Sequence, residues 1–331
     1  MLHKFNTLQY RNMQEMHISD ELSLSILKNN TEYLELENQF LKEFGFTNLN
    51  SFSFSKDGFL ALLLKLNKKG KIAVSVGETQ SLIDASNEFI DLGFELSFIN
   101  LKNDGTLDYE QLKDLEIDFL FVFSFIMDTV AMVDLEKIKK TSSSKIISNA
   151  SANNDKNSDV IYFDPYKLTG YFLHGLILFN DELFEEQSIA FKDTLALDLI
   201  FKSLKTLNFN TSVKPIFEEK LKEIFKDDVY FFVDNKQTLP YTLHFALKGI
   251  KARELIRTLS LDEIHITNGE GCSLGLSKPS RIIQAMGYDE TTSRNAISLT
   301  FIENYDEEII EKIVKNMAKK YRQIKVLNQG N

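Results

Sequence analysis

The sequence has 331 residues, 43% of them hydrophobic, which excludes a disordered chain and suits a large domain with a smaller one. A formal net charge of −10 makes nucleic acid an unfavourable partner, because an acidic chain repels phosphate backbones. The single cysteine excludes an internal disulfide, and the sequence shows neither a signal-peptide core nor an apolar run long enough to cross a bilayer. We therefore expect a soluble cytoplasmic protein with no membrane partner.

The first forty or so residues predict helix from an approximate helical stripe of apolar side chains. Strands and helices then alternate. Strands are predicted at 72–76, 95–100, 117–125, 145–150, 160–163 and 176–179, and helices at 81–92, 108–115 and 134–140. Continuous apolar strands that alternate with helices are typical of a mainly parallel sheet covered on both faces, so the fold class is α/β.

After residue 180 the pattern changes. Two long helices are predicted at 182–207 and 215–225. They are followed by strands at 230–233, 242–247, 263–267 and 296–301 and by helices at 251–259, 279–286 and 306–324. This order predicts a smaller α+β unit. We expect a helical segment and large domain over 1–210 and a small domain over 211–331.

A glycine-rich loop around Cys272 is the clearest local feature. Gly269, Gly271 and Gly275 surround the thiol, between a predicted strand and a helix opened by Pro279. A thiol on such a loop is open to solvent or substrate. A structural cysteine is the usual interpretation of a lone Cys, and the residues alone slightly favour it.

Lys167 is the second candidate, because it lies between two predicted buried strands where α/β ligand sites form. Desolvation there would lower its pKa and make it a usable Schiff-base amine. On spacing alone, an ordinary surface lysine is the better interpretation. The five histidines do not pair at metal-ligand spacing, and no phosphate-loop or dinucleotide fingerprint is present. We therefore expect no metal site.

The stretch from Leu239 to about Tyr321 resembles the C-terminal domain of cysteine desulfurases, in the class V aminotransferase group of pyridoxal-phosphate enzymes. Leu239-Pro240-Tyr241-Thr242-Leu243 is similar to the L-P-N-T-L of that family. Residues 268–287 match its T-G-S-A-C-S-S-G-x-x-x-P-S-x-V-L-x-A-M-G run without a gap at these positions: Gly269, Cys272, Ser273, Gly275, Pro279, Ser280, Ala285, Met286 and Gly287. Lys167 to Gly175 keeps the spacing of the cofactor-lysine motif, K-x-x-G-P-K-G-x-G.

The resemblance implies the fold of pyridoxal-phosphate enzymes of fold type I, with a mainly parallel large domain, a smaller α+β domain and a homodimer. It implies that Lys167 is the Schiff-base lysine and Cys272 the sulfur-accepting thiol. The implied reaction removes sulfur from L-cysteine, leaves alanine and a persulfide on Cys272, and passes sulfur to an acceptor such as an iron–sulfur scaffold. A selenocysteine lyase or an aminotransferase of the same class is a third interpretation.

The departures from the family are numerous. Asn149 stands where the family has the Asp that pairs with the pyridine nitrogen, and Thr79 where it has the ring-stacking His. The residue run Asp164-Pro165-Tyr166 replaces S-x-H, so a carboxylate stands in place of a phosphate donor. Asp57-Gly58-Phe59 replaces the G-A-T turn, residues 126–129 replace N-N-E-T, and Ser298 replaces the arginine that holds the substrate carboxylate.

These losses favour a second hypothesis, a non-catalytic relative that keeps the fold and the dimer and acts as a binding partner or sulfur relay. The retained Lys167 and Cys272 favour the desulfurase. The two are separated by whether the site near Lys167 still offers phosphate donors or is filled by Phe59, Tyr166 and Asp164.

Overall fold

A computed structural model of the protein describes residues 2–8, 31–180, 183–184, 192–269 and 278–329. The strands are β1 His3–Lys4, β2 Asn48–Phe52, β3 Ile72–Ser75, β4 Ser97–Ile99, β5 Phe119–Phe121, β6 Lys145–Asn149, β7 Val160–Phe163, β8 Gly175–Phe179, β9 Val229–Tyr230, β10 Thr242–Leu247, β11 Ile264–His265 and β12 Ala296–Thr300. The α-helices are α1 Thr31–Phe44, α2 Lys56–Asn67, α3 Gln80–Asp91, α4 Tyr109–Lys113, α5 Leu135–Thr141, α6 Pro165–Thr169, α7 Thr194–Thr206, α8 Val213–Phe225, α9 Ala252–Ser260, α10 Arg281–Ala285, α11 Glu290–Ser293 and α12 Glu307–Gln329.

Seven strands form the central sheet, in the order β2-β8-β7-β6-β5-β3-β4. The five strands from β4 to β7 run parallel, while β8 and β2 pair antiparallel at one edge. Side chains of β7 alternate between two cores: Val160 and Tyr162 face the layer with α2 and α3, whereas Ile161 and Phe163 face the layer with α1 and α7. The predicted α/β fold with a mainly parallel, doubly covered sheet is confirmed.

Helix α3 illustrates how local sequence sets the element ends. Thr79 caps its first turn by accepting a hydrogen bond from the Leu82 amide at 3.4 Å. Gly93, with φ +90°, closes the other end through a hydrogen bond from its amide to the Ile90 carbonyl at 2.8 Å. The predicted helix and its C-terminal glycine are both present.

The second unit packs around β12-β10-β9, an antiparallel sheet covered by α8, α9 and α12. Residues 2–8 also belong to this unit. Strand β1 pairs parallel with β11, and Phe5 is fully buried between Phe217, Phe301 and Tyr305. The Phe5 amide donates to His265 O, and Phe5 O accepts from the Thr300 amide, both at 2.8 Å.

Three element predictions are wrong. Residues 3–4 form a strand rather than helix because their backbone bonds to β11. Strand β2 was not predicted. The helix predicted over 182–207 begins at Thr194, where Asp193 caps it by accepting from the Ala196 amide at 2.9 Å, and residues 183–184 form a turn and a bend. Among the described residues, no helix is both long and apolar enough to cross a membrane.

Candidate functional site

The carboxyl ends of the parallel strands meet at one edge of the sheet, where α/β folds bind their ligands. Asn149 ends β6, Thr79 lies just beyond β3, and Lys167 lies in the short helix that follows β7. All three are buried. The topology therefore brings the described candidate side chains to the same edge, whereas Cys272 lies outside the described residues.

A cavity of about 90 Å³ lies beside Lys167. Phe125 and Met127 after β5, and Ser151 and Ala152 after β6, line it together with Lys167. The small domain and the start of the chain contribute Thr7, Leu8, Phe209 and Ile302. Thr79 and Asn149 are not among the lining residues, so the cavity gathers Lys167 but not the other two candidates. The sequence did not predict that Thr7 and Leu8 would line this cavity. Their position depends on the pairing of β1 with β11, which places His3 opposite Ile264.

Lys167 is held in place by its own short helix. Asp164 caps that helix, with its Oδ1 accepting from the Lys167 amide at 3.2 Å, and its Oδ2 lies 3.8 Å from Lys167 Nζ. Burial raises the pKa of Asp164, and the nearby Lys167 charge opposes this rise. Asp164 therefore caps this helix and lies beside Lys167, so an acidic side chain occupies the position where a phosphate donor was expected.

The region that corresponds to the phosphate turn is packed with aromatic rings. Phe59 is fully buried against Phe52, Phe54 and Tyr162, with ring centroids 5.1 to 5.6 Å apart. The Tyr162 hydroxyl donates to the buried Glu78 carboxylate at 2.9 Å. Tyr166 does not fill the site, because its ring stacks on the exposed Phe172 at 4.5 Å. Of the three residues whose positions were to separate the two hypotheses, Phe59 and Asp164 are buried and Tyr166 is partly exposed.

Several buried polar atoms have no hydrogen-bond partner within the part of the chain that the structure describes, and four of them bear on the candidate site. They are Thr129 Oγ1, Asn149 Nδ2, Lys167 Nζ and Asn268 Oδ1. Each belongs to a segment aligned above with a family motif. The other side-chain atom of Asn149, Oδ1, accepts from the Ser151 amide at 2.9 Å. Buried polar groups in native proteins are nearly always paired, so the Lys167 amine, which has no hydrogen-bond partner and lines the cavity, indicates room for a polar ligand there.

Ser298, at the position of the missing arginine, forms part of a buried polar chain. Its hydroxyl donates to the Asp128 carbonyl at 2.7 Å, and His244 Nδ1 lies 3.1 Å away. Since the hydroxyl proton is used, Nδ1 of His244 is the donor to Ser298 Oγ. Neither residue supplies the bidentate cation that a substrate carboxylate would pair with.

The buried His244 should make the free energy of unfolding depend on pH. Burial lowers the pKa of His244 to about 3, whereas the unfolded chain has a histidine pKa of about 6.5. Below about pH 6 the unfolded state binds a proton that the folded state does not, so this group costs about 1.4 kcal/mol of stability per pH unit. Between pH 7 and pH 5, the free energy of unfolding measured in urea should therefore fall less for His244→Asn than for wild type. His265→Asn is the control, and equal pH dependence in all three proteins would contradict the assignment.

Within the described ranges, no group of three or more His, Cys, Asp or Glu side chains is suited to a metal ion.

The sequence and the fold are both similar to those of known proteins. No family model matches the sequence. A cysteine desulfurase IscS from Buchnera aphidicola is 24% identical over 298 residues, covering 79% of this chain and 72% of that protein. Among solved structures, a NifS-like protein superposes with a TM-score of 0.74 at 12% identity, over 97% of this chain and 100% of that one. The cysteine desulfurase CsdA from Escherichia coli gives a TM-score of 0.69 at 12% identity, over 94% and 88% of the two chains.

The long match to IscS and the near-complete superpositions agree with the family that the sequence motifs indicated. The structural likeness alone establishes the fold, and the sequence match adds descent. The chain is a relative of the cysteine desulfurases, built on the fold of the pyridoxal-phosphate enzymes of fold type I.

Proposed function

We propose that this protein binds pyridoxal phosphate at Lys167 and removes sulfur from L-cysteine, leaving alanine and a persulfide on Cys272. One observation carries the proposal: the Lys167 amine is buried beside the cavity and has no hydrogen-bond partner among the described residues. A polar ligand in the cavity would satisfy it. We further propose a homodimer that passes sulfur to an acceptor scaffold protein in the cytoplasm.

The residues present fit the aldehyde and ring end of the cofactor. Lys167 offers a buried amine that faces a cavity, and Asn149 offers an unpaired amide group at the end of β6. At the phosphate end the side chains suit a phosphate less well: the Ser55 hydroxyl caps α2 and lies 2.9 Å from Ser53 Oγ, and Asp164 is an acidic side chain. We therefore expect the cofactor to be held mainly through Lys167, with a weaker grip on its phosphate.

The chemistry divides between the cofactor and the chain. When bound, pyridoxal phosphate supplies an electron sink for the carbon that carries the substrate amine. Lys167 would hold the cofactor through its amine and would move the α-proton of the substrate, and Asp164 Oδ2, 3.8 Å from Lys167 Nζ, would orient that side chain. Asn149 is a neutral partner that cannot hold a pyridine nitrogen protonated, so turnover should be slow. Cys272, as thiolate, attacks the substrate sulfur.

A visible absorption spectrum tests the proposal. Purified protein titrated with pyridoxal phosphate should develop a cofactor band that changes when L-cysteine is added. Lys167→Ala should abolish the band, since Lys167 is the only lysine among the described residues that line the cavity. Lys202→Ala is the matched control, because Lys202 is a half-exposed lysine paired with Asp198 on α7, and it should behave as wild type.

The second candidate is a non-catalytic sulfur relay or binding partner on the same fold. It is favoured by the aromatic packing of Phe59 and by the buried carboxylate of Asp164 at the phosphate end. Absence of any band at saturating cofactor would overturn the enzymatic proposal and leave this one. A band of equal intensity in Lys167→Ala would overturn the role of Lys167.

A further inference from the structure

An apolar cluster joins the two domains at the cavity beside Lys167. Its buried members come from the start of the chain, from the loop after β5 and from the segment that leads into β10: Leu8, Phe125, Met127, Val130, Leu239 and Tyr241. Ala152 and Phe209 pack against them. Several of these side chains also line the cavity, among them Met127, Ala152 and Phe209. The apolar wall of the cavity is therefore a contact between domains.

Tyr241 links the two sides of this wall. Its hydroxyl donates to the carbonyl of Ala152, in the loop after β6, at 2.8 Å. Its ring stacks face to face on Phe209, with the ring centroids 3.8 Å apart and the ring planes 3° from parallel. Only 8% of Tyr241 is exposed. Tyr241 stands where the L-P-N-T-L motif has asparagine, a residue with no ring that could stack on Phe209.

The backbone joins the domains at the same place. The Leu239 amide donates to Val130 O at 3.0 Å, and the Met132 amide donates to Gln237 O at 2.8 Å. Val130 has φ +54°, a left-handed conformation that β-branched residues rarely adopt. Such a conformation persists only where the surrounding contacts hold it, and Val130 is buried in the apolar cluster. The turn after β5 is thus held in a strained form by the segment that contains Tyr241.

The cavity that this wall borders is small. Its volume is about 90 Å³, whereas pockets for small molecules usually measure roughly 300–1,000 Å³. A molecule of the size of pyridoxal therefore does not fit beside the Lys167 amine unless part of the wall moves. Phe209 is only partly buried, and its ring is held by the stack on Tyr241.

We propose that Tyr241 is a specificity-determining residue. Through its stack on Phe209 and its hydrogen bond to Ala152, it limits the size of the molecules that reach the Lys167 amine. The size limit follows from the described contacts, whereas its benefit, the selection of what enters the active site, rests on the proposed function.

Reductive alkylation with aldehydes of two sizes tests this limit. Formaldehyde or pyridoxal, each with cyanoborohydride as the hydride donor, converts a lysine amine that it reaches to a stable alkylamine. Peptide mass spectrometry measures the rate at Lys167 relative to Lys202, a half-exposed lysine of α7. On that scale, Lys167 of the wild type should react severalfold more slowly with pyridoxal than with formaldehyde. Phe209→Ala and Tyr241→Asn should raise the pyridoxal rate severalfold and change the formaldehyde rate little.

Tyr321→Phe is the matched control. The Tyr321 hydroxyl also donates to a backbone carbonyl at 2.8 Å, that of Lys248, and Tyr321 is buried but does not line the cavity. Its replacement should leave both rates at Lys167 unchanged. Tyr241→Phe keeps the ring but loses the hydroxyl, and should raise the pyridoxal rate.

If Tyr241→Asn does not fold, Phe209→Ala and Tyr241→Phe carry the test. Pyridoxal rates at Lys167 that are equal in the wild type and in these two variants would overturn the proposal. So would a wild-type Lys167 that reacts with pyridoxal as readily as with formaldehyde. Neither reagent carries a phosphate and no turnover is measured. The absence of a band with pyridoxal phosphate would therefore overturn the proposed function and leave this result unaffected.

Discussion

Replacing Cys272 with serine is expected to abolish cysteine-dependent sulfide release and persulfide formation. A serine hydroxyl is neither acidic enough to attack the substrate sulfur at neutral pH nor able to store the transferred atom. The loss should be complete to the limit of detection, since the sequence contains no second thiol to take over. Sulfide release and the mass gain of one sulfur atom on the intact protein measure the two steps.

Two comparisons make that result specific. Ser277→Ala changes the same segment of sequence but keeps Cys272, and should retain the wild-type rate of sulfide release. The cofactor band of Cys272→Ser should also match wild type, because the thiol is not proposed to hold the cofactor. Sulfide release that survives in Cys272→Ser would show that the sulfur leaves by another route, and the role proposed for this residue would then be wrong.

Replacing Lys214 with methionine is expected to lower the free energy of unfolding by about 2–4 kcal/mol. Its ammonium is buried and donates to Asn235 O and Thr238 Oγ1, both at 2.7 Å, and to Leu239 O at 3.0 Å. Burial lowers the pKa of Lys214, but these acceptors compensate the buried charge. Methionine keeps the length of the stem and leaves the acceptors without that donor.

The Lys214 contacts also connect the two domains. The turn that Lys214 binds pairs with the large domain through the Leu239 amide on Val130 O at 3.0 Å and the Met132 amide on Gln237 O at 2.8 Å. Urea unfolding measures the effect, with Lys202→Met as control. Lys202 makes a half-exposed helical ion pair with Asp198, so its loss should cost less than about 1 kcal/mol. Equal stability of the two variants would contradict the structural role of Lys214.

The parallel part of the sheet was predictable because each of its strands is a short apolar run bounded by polar or glycine residues. Strand β2 was missed because Asn48, Asn50 and Ser51 break that apolar pattern. It is a strand because it pairs with β8 at the edge, where polar side chains are tolerated. The short β1 is stabilised by β11 and by burial of Phe5, contacts that no local pattern contains.

At the candidate site, motif spacing identified Lys167, which the structure places beside a cavity at the edge of the parallel strands. The same spacing gave no indication that Tyr241 contacts Ala152 and Phe209, which are distant in sequence. Asn149 lies at the end of β6 and Thr79 caps α3 beyond β3, but neither lines the cavity, and that depends on side-chain packing. The functional assignments of Lys167, Asn149, Thr79 and Cys272 stay predictions.

The pairing of β1 with β11 also determines the order in which parts of the protein can fold during translation. Residues 2–8 are synthesised more than 250 residues before the β11 and β12 backbone that they bond to. At about 5–20 residues per second, this interval is on the order of tens of seconds. During that interval the strands of the large domain can assemble, whereas Phe5 cannot yet be buried because its partners have not been made. The small domain can therefore complete its fold only after both of these distant segments have been translated.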